Sequence, residues 1–302
     1  MNLPKKVKIV EVCGRDGFQN VKTFIKTEDK IAIIKKIIDS GFQKVEITSF
    51  VNPKRVPQMS DAKEVCKEVL KYAEGKGVDL VALVPNMKGA QLAFESNIKE
   101  INYVVSVSEK HNMANVQSTV EESLLHFEEI CKEYKGALKV RLALATTFGC
   151  PFGEKIETQK IITMAERGLK AGASKILLAD TVGLGNPVLV DSVLSEVKKY
   201  IPVDAISMHL HDTRGLALAN TLAALNYGVT EFESAAAGLG GCPFAPGASG
   251  NVSSEDLVNM LTMMGIETNI NMDELKTAIA FIRERVNAPV ISHMASLFAI
   301  GI

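Results

Sequence analysis

The segment Gly238-Leu-Gly-Gly-Cys-Pro-Phe-Ala-Pro-Gly-Ala-Ser-Gly-Asn251 sets one reactive side chain, the Cys242 thiol, in a run of glycines, alanines and prolines. Glycine lets backbone come close to a ligand or take up positive φ, and a thiol is an acid or a nucleophile according to its surroundings. The segment reads as a loop carrying a reactive cysteine to a site; the plainer alternative is a flexible connection with a buried, inert thiol. A second pattern is Ile206-Ser-Met-His-Leu-His211, where Ile206, Met208 and Leu210 alternate with Ser207, His209 and His211. Residues two apart on a strand share a face, so both imidazoles project to one side about 7 Å apart. Joined by a carboxylate from elsewhere, they can hold one divalent ion with positions open for substrate; the alternative is a pair of hydrogen-bonded core histidines. His111, His126 and His293 lack such spacing.

Candidate carboxylates are Asp16, beside Arg15, and Glu46 and Asp180. Asn251, closing the glycine-rich segment, can add an amide oxygen. One carboxylate, two imidazoles and an amide suit Mg2+ or Mn2+ better than structural zinc, which more often recruits cysteine. Arg15 and Asp16 would point apart on a regular strand, so a turn at the strand end has to deliver both. Glu46 is a ligand, a group that orients one, or the partner of a barrel arginine such as Arg141.

These residues need a scaffold that converges them. Short β-rich runs alternate eight times with amphipathic helical stretches, each pair spanning about 30 residues, the size of a βα unit. Strands are expected to begin near Val7, Lys44, Val78, Ile101, Leu138, Lys175, Ala205 and Glu231. Helices are expected at about 27–40, 61–76, 86–97, 119–135, 158–172, 186–200, 216–228 and 253–265, with a final one at about 271–287. Asn186-Pro187 places proline in a first helical turn, and Gly172 follows a helix end where a left-handed cap is expected. Eight such units without a linker predict an α/β fold, a (β/α)8 TIM barrel with an additional C-terminal helix. Residues 1–302 are expected to form a single catalytic domain, with about 267–302 as a helical appendage. An open doubly wound sheet is the alternative, but no Gly-x-Gly-x-x-Gly follows the first strand. In a barrel the C-terminal strand ends share one mouth, and Arg15-Asp16, Glu46, Asp180, His209, His211 and the Cys242 loop all fall at or after such ends.

Composition narrows the ligand class. The chain has 302 residues, 47% of them hydrophobic, with 34 Lys+Arg against 35 Asp+Glu and a net charge of -1. No basic tract suggests nucleic acid or an anionic membrane, so a small molecule is the expected partner. Five scattered cysteines, none spaced Cys-x-x-Cys, indicate neither a disulfide framework nor a zinc knuckle. The first residues run straight into a strand-like Val7–Val12 without the apolar stretch of a signal peptide, and no apolar run reaches the roughly 18 residues of a membrane span. A cytoplasmic location is expected.

The segments Val12-Cys-Gly-Arg-Asp-Gly-Phe-Gln-Asn20, Val45-Glu-Ile-Thr-Ser-Phe-Val51 with Val56-Pro-Gln-Met59, Phe148-Gly-Cys-Pro-Phe152, His209-Leu-His-Asp-Thr-Arg-Gly-Leu-Ala-Leu-Ala-Asn220 and Gly238-Leu-Gly-Gly-Cys-Pro-Phe244 together resemble the 3-hydroxy-3-methylglutaryl-CoA lyase family of metal-dependent TIM barrels. The resemblance implies a divalent cation on Asp16, His209, His211 and Asn251, with Arg15 on the thioester-side oxygen and Cys242 as a catalytic thiol. It further implies Glu46 and Asp180 as groups that position these, His209, Asp16 or a metal-bound water as candidate proton acceptors, an acyl-CoA substrate and a homodimer. Rival readings are a lyase of a related thioester such as citramalyl-CoA, a condensing synthase on the same barrel, and a non-catalytic acyl-CoA-binding barrel. The chain departs from the family pattern at Cys13-Gly14, where Gly-Pro is usual, and at Arg55, where tryptophan is common; both bear on acyl-chain preference.

Overall fold

A parallel strand inside a ring of helices is covered on both faces, so it is built from nearly continuous aliphatic sequence, as in Lys175-Ile-Leu-Leu-Ala-Asp180. In a computed structural model, which describes residues 3–241 and 250–300, eight such strands form a closed barrel in chain order. They are β1 Lys8–Glu11, β2 Lys44–Ser49, β3 Asp79–Val84, β4 Glu100–Ser106, β5 Lys139–Ala145, β6 Lys175–Asp180, β7 Ile206–Leu210 and β8 Glu231–Ser234. Every neighbouring pair is parallel, and β1 closes the ring by pairing with both β2 and β8. The barrel expectation holds, and each strand starts within one residue of its expected position.

The helices are α1 Thr27–Asp39, α2 Ala62–Ala73, α3 Met87–Glu95, α4 Glu109–Val116, α5 Val120–Glu133, α6 Thr158–Ala171, α7 Pro187–Val197, α8 Ala217–Leu225, α9 Ser254–Met263, α10 Met272–Arg285 and α11 His293–Ala299. Each main helix turns one apolar stripe to the strands: α1 buries Ile33, Ile34, Ile37 and Ile38. Their ends follow local chemistry. Asn186 caps α7 with Pro187 in its first turn, Thr119 and Glu122 form a reciprocal capping box on α5, and Gly172 ends α6 in the left-handed region at φ +108°. Two helices escaped the sequence reading. The stretch Glu109–Val116 buries only His111 and Asn112 and so shows no apolar period; α11 is a short piece after the expected closing helix, α10.

Inside the barrel, below the mouth, a charged layer replaces the usual branched aliphatics. Arg141 is fully buried between Glu231 (3.0 Å) and Glu233 (2.9 Å), and Lys44 pairs with Glu100 at 2.6 Å. Buried charges persist only when paired in this way. The segment after α10 returns to the end of β8: Ile291 N donates to Ala237 O at 3.0 Å, and Asp256 of α9 accepts from Ser292 Oγ and from the backbone of His293 and Met294. Among the described residues no helix is long and apolar enough to cross a membrane.

Candidate active site

Arg15 and Asp16 reach the mouth together because the chain leaves β1 through a π-helical turn, Cys13–Gly17. Such turns cluster at functional sites because they re-aim consecutive side chains. The turn lies hard against β2, where a Cβ on Gly14 would come within 3.0 Å of the Glu46 carbonyl and 3.1 Å of Ile47 Cα. The Gly-Pro to Cys-Gly departure therefore leaves a glycine packed on β2 and a fully buried Cys13, whose thiol burial pushes well above its usual range.

Arg15 bridges two carboxylates, with Nε on Glu46 Oε2 and Nη1 on Asp16 Oδ1, both at 2.5 Å. Glu46 thus pairs with Arg15 and not with Arg141. Burial drives the Asp16 carboxyl upward, but the Arg15 guanidinium, then the hydrogen bond and charges of the two histidines, hold it far below the usual carboxylate range. On Glu46 burial wins over Arg15 and raises the carboxyl.

His209 and His211 share a face as expected and lie close, with ring centroids 4.9 Å apart. His211 Nε2 is 3.8 Å from Asp16 Oδ2, and His209 Nδ1 is 2.9 Å from Glu233 Oε2. Because the Glu233 carboxyl is held low by Arg141 and His209 against the opposing effect of burial, it is the acceptor. His209 Nδ1 therefore carries the proton and Nε2 offers its lone pair. Burial lowers the His209 imidazole, yet the Glu233 hydrogen bond and charge outweigh it and raise the pKa; on His211 burial wins over the hydrogen bond and charge of Asp16 and lowers it.

Among the described residues, Asp16, His209 and His211 form the one group of acid, thiol or imidazole side chains that can hold a metal ion, their ligand atoms lying within 4.8 Å of one another. Asn251 joins them. It forms an antiparallel bridge with His211, and its Nδ2 donates to Asp16 Oδ2 (2.7 Å) and Leu239 O (3.1 Å). Asn251 Oδ1 and His211 Nδ1 are buried without a hydrogen-bond partner among the described residues. An orphaned amide oxygen beside a carboxylate and two imidazoles is a donor set that fits a hard divalent cation. Turning the Asn251 amide over would bring that oxygen toward the cluster. Gly240 makes room for it: a Cβ there would fall 2.4 Å from Asn251 Nδ2.

The cluster opens into a cavity of about 540 Å³. Arg55 stands at its rim and reaches Gln117 at 2.8 Å, tying the β2–α2 and α4–α5 connections together. Of the residues singled out in the sequence, Arg15, Asp16, Glu46, His209, His211 and Asn251 are brought together here. Asp180 does not join them: its two oxygens accept from Leu184 N and Gly185 N and shape the loop after β6. Cys242 lies outside the described residues; Gly241, which precedes it, lines the cavity and accepts from Asn20 at 2.6 Å. Glu233 went unread, although Glu231-Phe-Glu233 alternates as His209-Leu-His211 does and carries the same signal.

The family model described as HMGL-like matches residues 6–282. The chain belongs to the HMGL-like family. It is 42% identical over 299 residues to a hydroxymethylglutaryl-CoA lyase of Bacillus subtilis (strain 168), covering 99% of each chain. It is also 43% identical over 293 residues to the mitochondrial hydroxymethylglutaryl-CoA lyase of Bos taurus, covering 97% of this chain and 89% of that one. Among solved structures, an HMG-CoA lyase of Acinetobacter baumannii in complex with coenzyme A and 3-methylmalate superposes with a TM-score of 0.92 at 40% identity, covering 97% of this HMGL-like chain and 95% of that one.

Proposed function

We propose that this HMGL-like chain is a carbon–carbon lyase that cleaves 3-hydroxy-3-methylglutaryl-CoA to acetyl-CoA and acetoacetate. The observation that carries the reading is the meeting of Arg15, Asp16, His209, His211 and Asn251 at one barrel mouth, in a chain similar over nearly its whole length to lyases of that name. The reaction needs a proton removed from the tertiary hydroxyl, charge stabilised on a thioester enolate, and a proton returned to the enolate carbon. Asp16, His209, His211 and Asn251 would hold Mg2+ or Mn2+, which when bound supplies Lewis-acid polarisation of the substrate's hydroxyl.

Arg15 would donate to the thioester oxygen as charge develops there, and its anchoring by Glu46 fixes the guanidinium for that task. Of the two side chains considered for taking the hydroxyl proton, His209 would have both ring nitrogens committed, Nδ1–H to Glu233 and Nε2 to the cation, whereas the Asp16 carboxylate keeps lone pairs although it is held strongly acidic. Cys242 would return a proton to the enolate carbon. Glu233 would position His209, and Asp180 would shape the β6–α7 loop and set its charge near His209 and His211. The whole chain would work as one catalytic unit, since the C-terminal segment is bonded to the turn after β8. It is proposed to act as a homodimer in the cytoplasm.

The test is release of both products from 3-hydroxy-3-methylglutaryl-CoA by chelator-stripped protein under reducing conditions, with and without added Mg2+ or Mn2+. Metal-dependent release of acetyl-CoA and acetoacetate is expected. A folded, metal-loaded protein that releases neither would sink the reading.

A further inference from the structure

The cavity is divided by charge. Its floor holds Arg15, Asp16, His209, His211 and Glu233, which come from strands or from the residues directly after them. Its rim comes from segments that stand beyond the strand ends: Asn52 and Arg55 between β2 and α2, Asn86 between β3 and α3, and Asn115 late in α4. Among the described residues that line this rim, Arg55 alone carries a full charge. Asn52 Oδ1 accepts from Lys54 N and Asn86 Oδ1 from Gly89 N, each at 3.0 Å, so both carboxamides are held by backbone with their N–H groups left to donate.

Arg55 differs from the other guanidinium of the cavity. Arg15 is neutralised by Glu46 and Asp16. Arg55 meets no carboxylate among the described residues, and the one hydrogen bond its guanidinium makes there goes to a neutral group, Gln117 Oε1. That bond restrains the side chain and leaves most of the guanidinium fork, which matches the oxygens of a phosphate, to a ligand. A thioester whose reacting carbons sit at the floor beside Arg15 has to leave past this rim. Neutral carboxamides there suit an amide-bearing arm, and a cation with no acid beside it suits an anion.

Resting on the lyase reading, we propose that Arg55 binds a phosphate at the nucleotide end of the thioester, so that the site selects coenzyme A thioesters over those that stop at pantetheine. The contact is charge-assisted, with two N–H donors of the fork on two phosphate oxygens. Coenzyme A offers such oxygens on its pyrophosphate and on its ribose 3′-phosphate; dephospho-coenzyme A keeps the first alone. Arg55 stands where tryptophan is common in the family, and this departure bears on the tail of the thioester rather than its acyl end.

The experiment uses the full chain with Mn2+ and compares the 3-hydroxy-3-methylglutaryl thioesters of coenzyme A, dephospho-coenzyme A and pantetheine, read as acetoacetate release, in the wild type, Arg55→Gln and Arg55→Lys. Arg55 is exposed, so neither change touches the core. Arg55→Gln is expected to raise KM for the coenzyme A thioester about fivefold with kcat retained, the range of an exposed ion pair, and to leave the pantetheine thioester as the wild type has it. Arg55→Lys, which keeps the charge and loses the fork, is expected to fall between. A rise that persists on the dephospho thioester assigns the contact to the pyrophosphate; one that disappears there assigns it to the 3′-phosphate. A KM that rises equally for every thioester, or for none, overturns the proposal, since a residue that merely tied two connections through Gln117 would act on each alike. Calorimetry with free coenzyme A needs no turnover, and binding is expected to weaken about fivefold in Arg55→Gln. If no thioester releases acetoacetate while coenzyme A still binds through Arg55, the lyase reading fails and the phosphate contact stands; unchanged coenzyme A affinity in Arg55→Gln removes the contact whatever the turnover.

Discussion

Glu233 accepts from His209 Nδ1 and pairs with Arg141, so one carboxylate fixes the imidazole's tautomer and ties the cluster to the charged layer beneath. Carboxylates in this position raise ligand basicity, and losing them typically weakens metal binding 10–100-fold. Glu233→Gln keeps the size and removes the charge; Mn2+ affinity, followed by titration calorimetry, is expected to fall by about that factor with the fold retained. Unchanged affinity would reduce Glu233 to a partner of Arg141. Cys242→Ala separates the thiol's task from the metal's: turnover is expected to drop by about 10² or more, the usual range for a proton-transfer group, with Mn2+ affinity close to wild type. A loss of metal binding instead would make Cys242 a structural residue.

At the scale of elements, the turn Ala236–Gly238 after β8 is gripped by two buried carboxylates. Glu11 Oε1 accepts from Ala236 N at 2.9 Å, and Glu255, at the start of α9, accepts from Ala237 N at 3.1 Å; Ala237 itself sits at φ +64°. Burial pushes both carboxyls up to about 7, against the opposing hydrogen bonds. A raised carboxyl binds its proton more tightly folded than unfolded, so the stability it contributes is present below its ordinary 4.5 and is lost as pH rises through about 7. The loss is about 3 kcal/mol per group. Glu255→Gln keeps an oxygen for Ala237 N and cannot ionise, so its unfolding midpoint should decline by several degrees less than wild type's between pH 5 and pH 8. Parallel declines would mean that Glu255 does not titrate there.

The same elements show what a sequence can and cannot reveal. Strands and the larger helices were readable because aliphatic alternation and apolar stripes are local. His209 and His211 were readable because period two is local as well. The π-turn that aims Arg15 and Asp16 was foreseen only as a need, since a five-residue Cys-Gly-Arg-Asp-Gly stretch has no period to read. Partnerships between strands, Arg15 after β1 with Glu46 on β2 and Arg141 on β5 with Glu233 on β8, leave no local period to read, and so Glu46 was left between several roles.

At the scale of the whole molecule, charge balance inside the barrel ties folding to the cation. The ion pairs running from the mouth to the layer below join five carboxylates (Asp16, Glu46, Glu100, Glu231, Glu233) to three cationic side chains (Arg15, Lys44, Arg141), leaving two negative charges when both imidazoles are neutral. A divalent ion held at Asp16, His209, His211 and Asn251 would balance that excess where water cannot screen it. Binding to the folded state alone stabilises by about 2.7 kcal/mol at a free concentration 100 times Kd. For a chain of this length that is a rise of roughly 5 °C in the unfolding midpoint. Mn2+ added to chelator-stripped protein is expected to give such a rise, and His211→Ala, starting from a folded state of its own, is expected to show much less of it. An equal rise in the variant would place the cation elsewhere on the molecule. No rise in either would remove the ion from the barrel and leave the two charges to be met by protonation, with His209, already raised by Glu233, the first group to take a proton.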